Sequence, residues 1–213
     1  MRGDVIIVEE HHRHAAEQIV AAVEKEIRER DRITTITVAG ESGSGKSETG
    51  KALKEAFGRA GIGAEVLQQD DYFVLPPKSN DRRRREDISW VGTQEVQLDL
   101  LDAHLRAARS GEESITKPLV VYEEDRVTEE ELSLSSLEVL IAEGTYTTLL
   151  EEADHRVFID RDYRDTLESR RRRAREKIEP FIERVLEIEH GIIAPSKSRA
   201  DIVINNDYSV QLP

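Results

Sequence analysis

Gly40-Glu41-Ser42-Gly43-Ser44-Gly45-Lys46-Ser47 is the stretch on which the reading of this chain turns. It satisfies G-x-x-x-x-G-K-[ST], a pattern in which each residue type has its own task at one polyphosphate. Gly40, Gly43 and Gly45 let the backbone turn tightly and approach phosphate oxygens. The N–H groups of the loop, Ser42 and Ser44 included, and of the helix that follows then point at the anion, and the helix dipole favours its charge. Lys46 is placed to reach the outer phosphates and the Ser47 hydroxyl to ligate Mg²⁺. Glu48, in the first helical turn, completes the candidate nucleotide-contacting set.

The context on either side is the one this loop requires. Residues 33–39 (ITTITVA) are β-branched and predict a buried strand entering the loop. A helix is expected after it to about residue 60, where Gly61 and Gly63 stop it, and residues 64–68 read as a second strand. Upstream, apolar residues at spacings of three and four predict a helix over 11–30, with a short strand at 4–8. Residues 70–92 carry Pro76, Pro77, four consecutive arginines and Trp90, and read as one long irregular loop of the kind that serves function. A helix over 93–109 with Thr93 as N-cap, a charged hairpin over 115–134, strands at 137–142, 156–159 and 202–204, and a long arginine-rich helical stretch over 163–189, broken near Pro180, complete the pattern. Strand–helix alternation throughout predicts one domain over 1–213, an α/β parallel sheet with helices on both faces. Residues 1–32 form an N-terminal extension of it, and residues 160–190 a lid and the helix that follows.

Two acidic positions bear on the chemistry. Gln69-Asp70-Asp71-Tyr72-Phe73 follows the second strand, and strand C-termini in such sheets face the ligand crevice. A carboxylate there can take a proton from a substrate hydroxyl or orient it for in-line attack. Glu143 ends the apolar strand before Gly144, placed to hold Mg²⁺ with Ser47.

The chain has 213 residues, 38% hydrophobic and 35% charged, with a formal net charge of −13 and no cysteine. That is a globular composition. Strong acidity argues against a nucleic-acid partner. No apolar run approaches the ~20 residues needed to span a bilayer, so no membrane partner is expected. The first eight residues lack a signal-peptide layout, and a chain without cysteine suits the cytoplasm. Runs of four arginines at 82–85 and 170–173 are local exceptions that suit a small phosphorylated ligand. His11, His12 and His14 read as a solvated helix start, and Trp90 as packing, with base stacking as the alternative.

Together these residues resemble the uridine kinase and phosphoribulokinase family of P-loop kinases, over residues 33–205. The family's G-x-S-G-S-G-K-[ST] is matched by Gly40 to Ser47, and its Q-D-S-F-Y by Gln69 to Phe73. Its E-G-I corresponds to Glu143-Gly144-Thr145, its arginine-rich lid helix to residues 170–175, and its late P-S-x-x-x-A-D-I-I-I to residues 195–204. The resemblance implies a P-loop NTPase fold with an arginine-rich lid, ATP with Mg²⁺, and transfer of the γ-phosphate to a small hydroxyl-bearing metabolite. It implies Asp70 as catalytic base, with Lys46, Arg171 and Arg175 as catalytic partners and Arg170 beside them. Arg171 and Arg175, four apart, share a helix face. Asp71, Tyr72, Arg83, Tyr122 and Arg126 are the acceptor-site candidates. Two elements depart from the uridine kinase pattern. Its D-H-P is replaced by Val91-Gly92-Thr93, and the histidine after its Y-D-F is absent around Tyr122 and Arg126. Uridine or cytidine therefore stands beside a sugar, a sugar phosphate or a pantothenate-like acceptor. A nucleotide-driven ATPase or regulator is the rival class, although no guanine-reading N-K-x-D is found. Members of the family often form oligomers, and a homo-oligomer is compatible with the resemblance.

Overall fold

The computed structural model describes residues 1, 5–167, 170 and 179–213. Its core is a six-stranded sheet in the order β2-β5-β1-β6-β7-β8. These strands are β1 (Thr34–Gly40), β2 (Ala64–Gln68), β5 (Val139–Glu143), β6 (His155–Ile159), β7 (Ile202–Ile204) and β8 (Val210–Gln211). All neighbours are parallel except β7 and β8, so the sheet is mixed, with one antiparallel edge strand. Strands β3 (Ser114–Val121) and β4 (Arg126–Ser133) form a separate antiparallel pair, the expected charged hairpin.

Period-two alternation divides the core between the two faces. Ile36, Val38, Val139, Ile141, Val157 and Ile159 turn to one side. There they pack on α1 (Glu10–Glu29) and α2 (Lys46–Arg59). Ala39, Leu140, Ala142 and Phe158 turn to the other, against α4 (Leu98–Arg109) and Ile193 of the helix Pro180–Ile193, here α5. Helices thus cover both faces, as expected for this α/β class.

Several local expectations are corrected. Residues 5–8 are not a strand, and residue 4 lies outside the described set. The 70–92 loop holds a 3₁₀ turn at Gln69–Tyr72 and a ten-residue helix, α3 (Pro77–Glu86). Proline at its first position suits a helix start. The pairs Arg85–Asp81 at 2.8 Å and Arg83–Asp87 at 3.4 Å brace it, although it has no apolar stripe. The helix expected from Thr93 begins at Leu98. Gly92 sits at φ +142, and the Glu95 carboxylate folds back to accept its N–H at 2.7 Å, closing a 3₁₀ turn instead. Over 163–189 the described residues show a turn at Tyr163–Thr166, helical Leu167 and Arg170, and α5 beginning at Pro180, where the stretch is expected to break, with residues 168–169 and 171–178 outside the described set. Of the three histidines only His14 is exposed as expected: His12 is buried, and the His11 ring packs 3.8 Å from that of Tyr208. No helix among the described residues is long and apolar enough to cross a membrane.

Candidate active site

Three strands deliver the site to one sheet edge. In register, Glu143 lies beside Val38 of β1 and Gln68 of β2. The loop after β1, the acid ending β5 and the Gln69-Asp70 turn after β2 therefore converge because their strands are neighbours.

The loop is held by its own atoms. The Ser44 N–H donates to the Glu41 carbonyl at 3.1 Å and Lys46 Nζ to the same oxygen at 2.9 Å. Gly43 at φ +77 and Gly45 at φ +102 occupy left-handed backbone that L side chains rarely adopt. A Cβ on Gly43 would come within 2.7 Å of Arg170 Cγ, and one on Gly45 within 3.0 Å of His12 Nε2. From outside, the Glu41 carboxylate accepts the Tyr163 N–H at 2.7 Å and lies 2.6 Å from His190 Nδ1, while Thr166 Oγ1 donates to the Ser42 carbonyl at 2.8 Å. Glu41, unremarked in the motif because that position is unrestricted, thus joins the loop to α5 and to the segment before it.

Ser47 Oγ donates to Glu143 Oε1 at 3.0 Å. Burial, and next the nearby charge of Asp70, push the Glu143 carboxyl up to about 7 against the pull of Lys46 and the Ser47 hydroxyl. A hydroxyl and a desolvated carboxylate side by side are the hard oxygen donors that Mg²⁺ takes. The buried Ser44 hydroxyl has no hydrogen-bond partner among the described residues, and it lies inside the glycine cradle. The donor set fits a phosphate-bound divalent cation. Glu48 is buried on α2, close enough to Glu143 for its charge to raise that carboxyl further.

A cavity of about 460 Å³ runs from Ser42 and Gly43 past Asp70 and Thr145 to α3 and α5. Asp70 is exposed to it. Its neighbours in sequence serve packing: Gln69 Oε1 accepts the Tyr146 N–H at 2.7 Å, and its Cβ lies 2.2 Å from where a Cβ on Gly144 would be. That contact ties the glycine after Glu143 to the glutamine before Asp70.

The acceptor candidates separate. Tyr122 lines the cavity. Asp71 is buried instead, accepting from the Val120 N–H at 2.9 Å and from Lys117 Nζ and the Met1 ammonium at 3.1 Å each, and so fastens the hairpin to the sheet. Tyr72 is fully buried, its hydroxyl 2.8 Å from His104 Nδ1, where no small molecule has access. Arg83 is exposed, paired with Asp87 and set over the Trp90 ring. Arg126 pairs with Glu124 at 2.8 Å in the open. Trp90 donates Nε1–H to Asn80 at 2.8 Å, a packing role. Of the arginines expected over the loop, Arg170 stands in the cavity wall, while Arg171 and Arg175 lie outside the described residues.

Arg84 is the residue the sequence reading missed. On α3 it shares a face with buried Asn80, which turns it inward while Arg83 turns out. It binds Glu95 through Nε, and through Nη2 at 3.0 Å, and it reaches Glu189 of α5 at 3.0 Å. Arg85 bridges Asp81 and Glu179 and lies over the Phe181 ring.

The model of the phosphoribulokinase/uridine kinase family matches residues 35–212. The chain belongs to this family. Among its relatives, the bifunctional alpha-galactosidase/sucrose kinase AgaSK of Mediterraneibacter gnavus is 32% identical over 189 residues, covering 82% of this chain. The chain spans only 20% of that relative's length. A uridine kinase of Bacillus mycoides is 29% identical over 182 residues, 79% of this chain and 84% of the relative. The fold is shared with a putative fructose transport system kinase from Silicibacter sp. TM1040, at TM-score 0.65 and 17% identity over 93% of this chain and 96% of that one. It is shared also with D-glycerate 3-kinase from Cryptococcus neoformans, at TM-score 0.64 and 11% identity over 96% of this chain and all of the other.

Proposed function

We propose that the protein is an ATP-dependent kinase that phosphorylates a hydroxyl group of a small metabolite. The observation that carries this reading is the meeting of Gly40 to Ser47, Glu143 and Asp70 at one sheet edge, with a cavity leading away from Asp70. The loop and Lys46 hold the polyphosphate, and Ser47 and Glu143 hold Mg²⁺. When bound, the cation neutralises charge on the transferring phosphoryl group. Asp70 orients the acceptor hydroxyl and takes its proton as the acceptor oxygen bonds to the γ-phosphorus and the bond to ADP breaks. Arg170, with Arg171 and Arg175, offsets the charge that develops. Gathering these groups around the acceptor excludes water and limits wasteful hydrolysis.

Two acceptor classes are supported by relatives, a nucleoside by the uridine kinases and a sugar by the sucrose kinase. The altered residues Val91-Gly92-Thr93 and the stretch around Tyr122 favour the second. The test is ADP release with Mg²⁺-ATP in the wild type and in Asp70→Asn. The substitution is expected to leave ATP binding near the wild-type level and to cut acceptor-dependent turnover at least ~100-fold. Wild-type turnover in Asp70→Asn would remove Asp70 from the mechanism.

A further inference from the structure

We propose that the acceptor is an uncharged polyol, carrying neither phosphate nor carboxylate, and that Arg84 and Arg85 of the cavity wall are held by carboxylates of the chain rather than left to bind an anionic acceptor. The inference rests on the kinase reading above. Arginines in such a cavity would ordinarily suggest an anionic acceptor. Here each guanidinium described in the wall already faces a carboxylate of the chain. Arg84 is clamped between Glu95, which is fully buried, and Glu189. Arg85 lies between Asp81 and Glu179. Arg170 donates to the Tyr163 carbonyl at 2.8 Å and lies 3.7 Å from Glu183. Lys78, on the exposed rim, gives its ammonium to the Glu123 carbonyl at 2.9 Å.

An anionic acceptor would have to compete with carboxylates that are anchored at the site and lose no translational freedom on binding. It would also face Asp70, which lines the same cavity beyond these pairs. Like charges brought together in a partly desolvated cleft act against the wrong ligand. A neutral polyol meets no such opposition. Each of its hydroxyls both donates and accepts, so it can give to the carboxylates and take from the guanidiniums without breaking their pairs. Phe73, Tyr122 and Phe181 supply the apolar faces against which a ring or carbon chain packs. The buried Glu95–Arg84–Glu189 network holds α3 and α5 at a fixed separation, so these donors and acceptors are set before the ligand arrives.

A free sugar and a nucleoside share this uncharged polyol chemistry, and matched pairs of acceptors separate both from their anionic forms. ADP release with Mg²⁺-ATP is measured for free sugars against their phosphate esters, polyols against the corresponding acids, and nucleosides against their monophosphates. Within the pair that responds, the neutral member is expected to be preferred by at least ~10-fold in kcat/KM. Its KM should change less than ~2-fold between about 0.05 and 0.5 M salt, because no ion pair forms on binding. Stimulation by sugars or by nucleosides identifies the source of the polyol. Preference for the anionic member overturns the proposal, as does absence of stimulation by any compound while ATP still binds. Failure to bind ATP overturns the kinase reading itself. Glu179→Gln, which leaves Arg85 with one carboxylate, should move the preference several-fold toward the anionic member. An unmoved ratio would remove the paired arginines as the selective element.

Discussion

Glu143→Gln should make the ligand-free protein more stable while removing its activity. Glu143 is 4% exposed, and its carboxyl is raised from the ordinary 4.5 to about 7, by burial first and by Asp70 second. An acid whose pKa is higher in the folded chain keeps its proton there after the unfolded chain has lost it. Stability therefore falls as pH rises from about 4.5 to 7 and is flat above. At about 1.4 kcal/mol per pH unit, that interval corresponds to roughly 3 kcal/mol lost by pH 8. Glutamine is neutral throughout and can still accept from Ser47 Oγ, so it avoids the loss. For a chain of this size 1 kcal/mol moves the thermal midpoint by about 2–4 °C, so the variant should melt roughly 6–12 °C higher at pH 8. The assay is thermal unfolding with chelator, wild type beside variant, from pH 4.5 to 8.5. The advantage should shrink toward zero at pH 4.5, and Mg²⁺-ATP should reverse it by stabilising only the wild type. A variant no more stable at pH 8 would refute the reasoning. So would an advantage of equal size at both ends of the range, which would mark a packing effect.

Three further substitutions test the supports of the site. Asp71→Ala leaves buried Lys117 with Glu130 as its remaining carboxylate and should cost about 3 kcal/mol, read as a midpoint lowered by roughly 10 °C; lost activity without lost stability would instead return Asp71 to the chemistry. Arg84→Met strands the fully buried Glu95 carboxylate and should cost about 3–5 kcal/mol, much of it restored by adding Glu95→Gln; strict additivity in the double variant would contradict the network. Gly45→Ala forces a side chain into backbone at φ +102 against His12 and should cost about 1–3 kcal/mol while weakening ATP binding; unchanged ATP affinity would refute the cradle.

What the sequence exposed and what it hid follow from the range of the forces involved. The strand at 202–204 is found where the sequence puts it because a buried strand between helices is apolar along its length, and the strand at 64–68 is found too, although Glu65 and Gln68 interrupt its apolar residues at the sheet edge. The loop from Gly40 to Ser47 is legible for a similar reason: its spacing is set by backbone geometry within eight residues. Helix α3 was illegible because Pro-Lys-Ser-Asn-Asp-Arg-Arg-Arg-Arg-Glu contains no apolar period at all. Its inward face is polar, Asn80 and Arg84, and its partners are carboxylates far along the chain. Arg83 and Arg84 are neighbours in sequence, and which of them faces the cavity depends on a helical register that no local pattern reveals. Asp71 and Tyr72 were drawn toward the acceptor by their neighbour Asp70, yet a tight 3₁₀ turn sends adjacent side chains in different directions.

The same division explains how one family can serve different acceptors on one fold. The phosphate end depends on a loop, two strand ends and their register, all fixed by the sheet itself. The proposed acceptor end depends on pairs such as Arg84 with Glu189, 105 residues apart, and Arg85 with Glu179, 94 apart. Each such pair joins α3 to α5, two helices outside the sheet register, so the wall can change charge without disturbing β1, β2 or β5. If the wall selects the acceptor as proposed, a change of one carboxylate there should alter which acceptor is tolerated and leave the loop after β1 intact. On the proposed reading, specificity is carried by contacts between distant residues that no motif contains, and acceptor assays on variants of the wall test it directly.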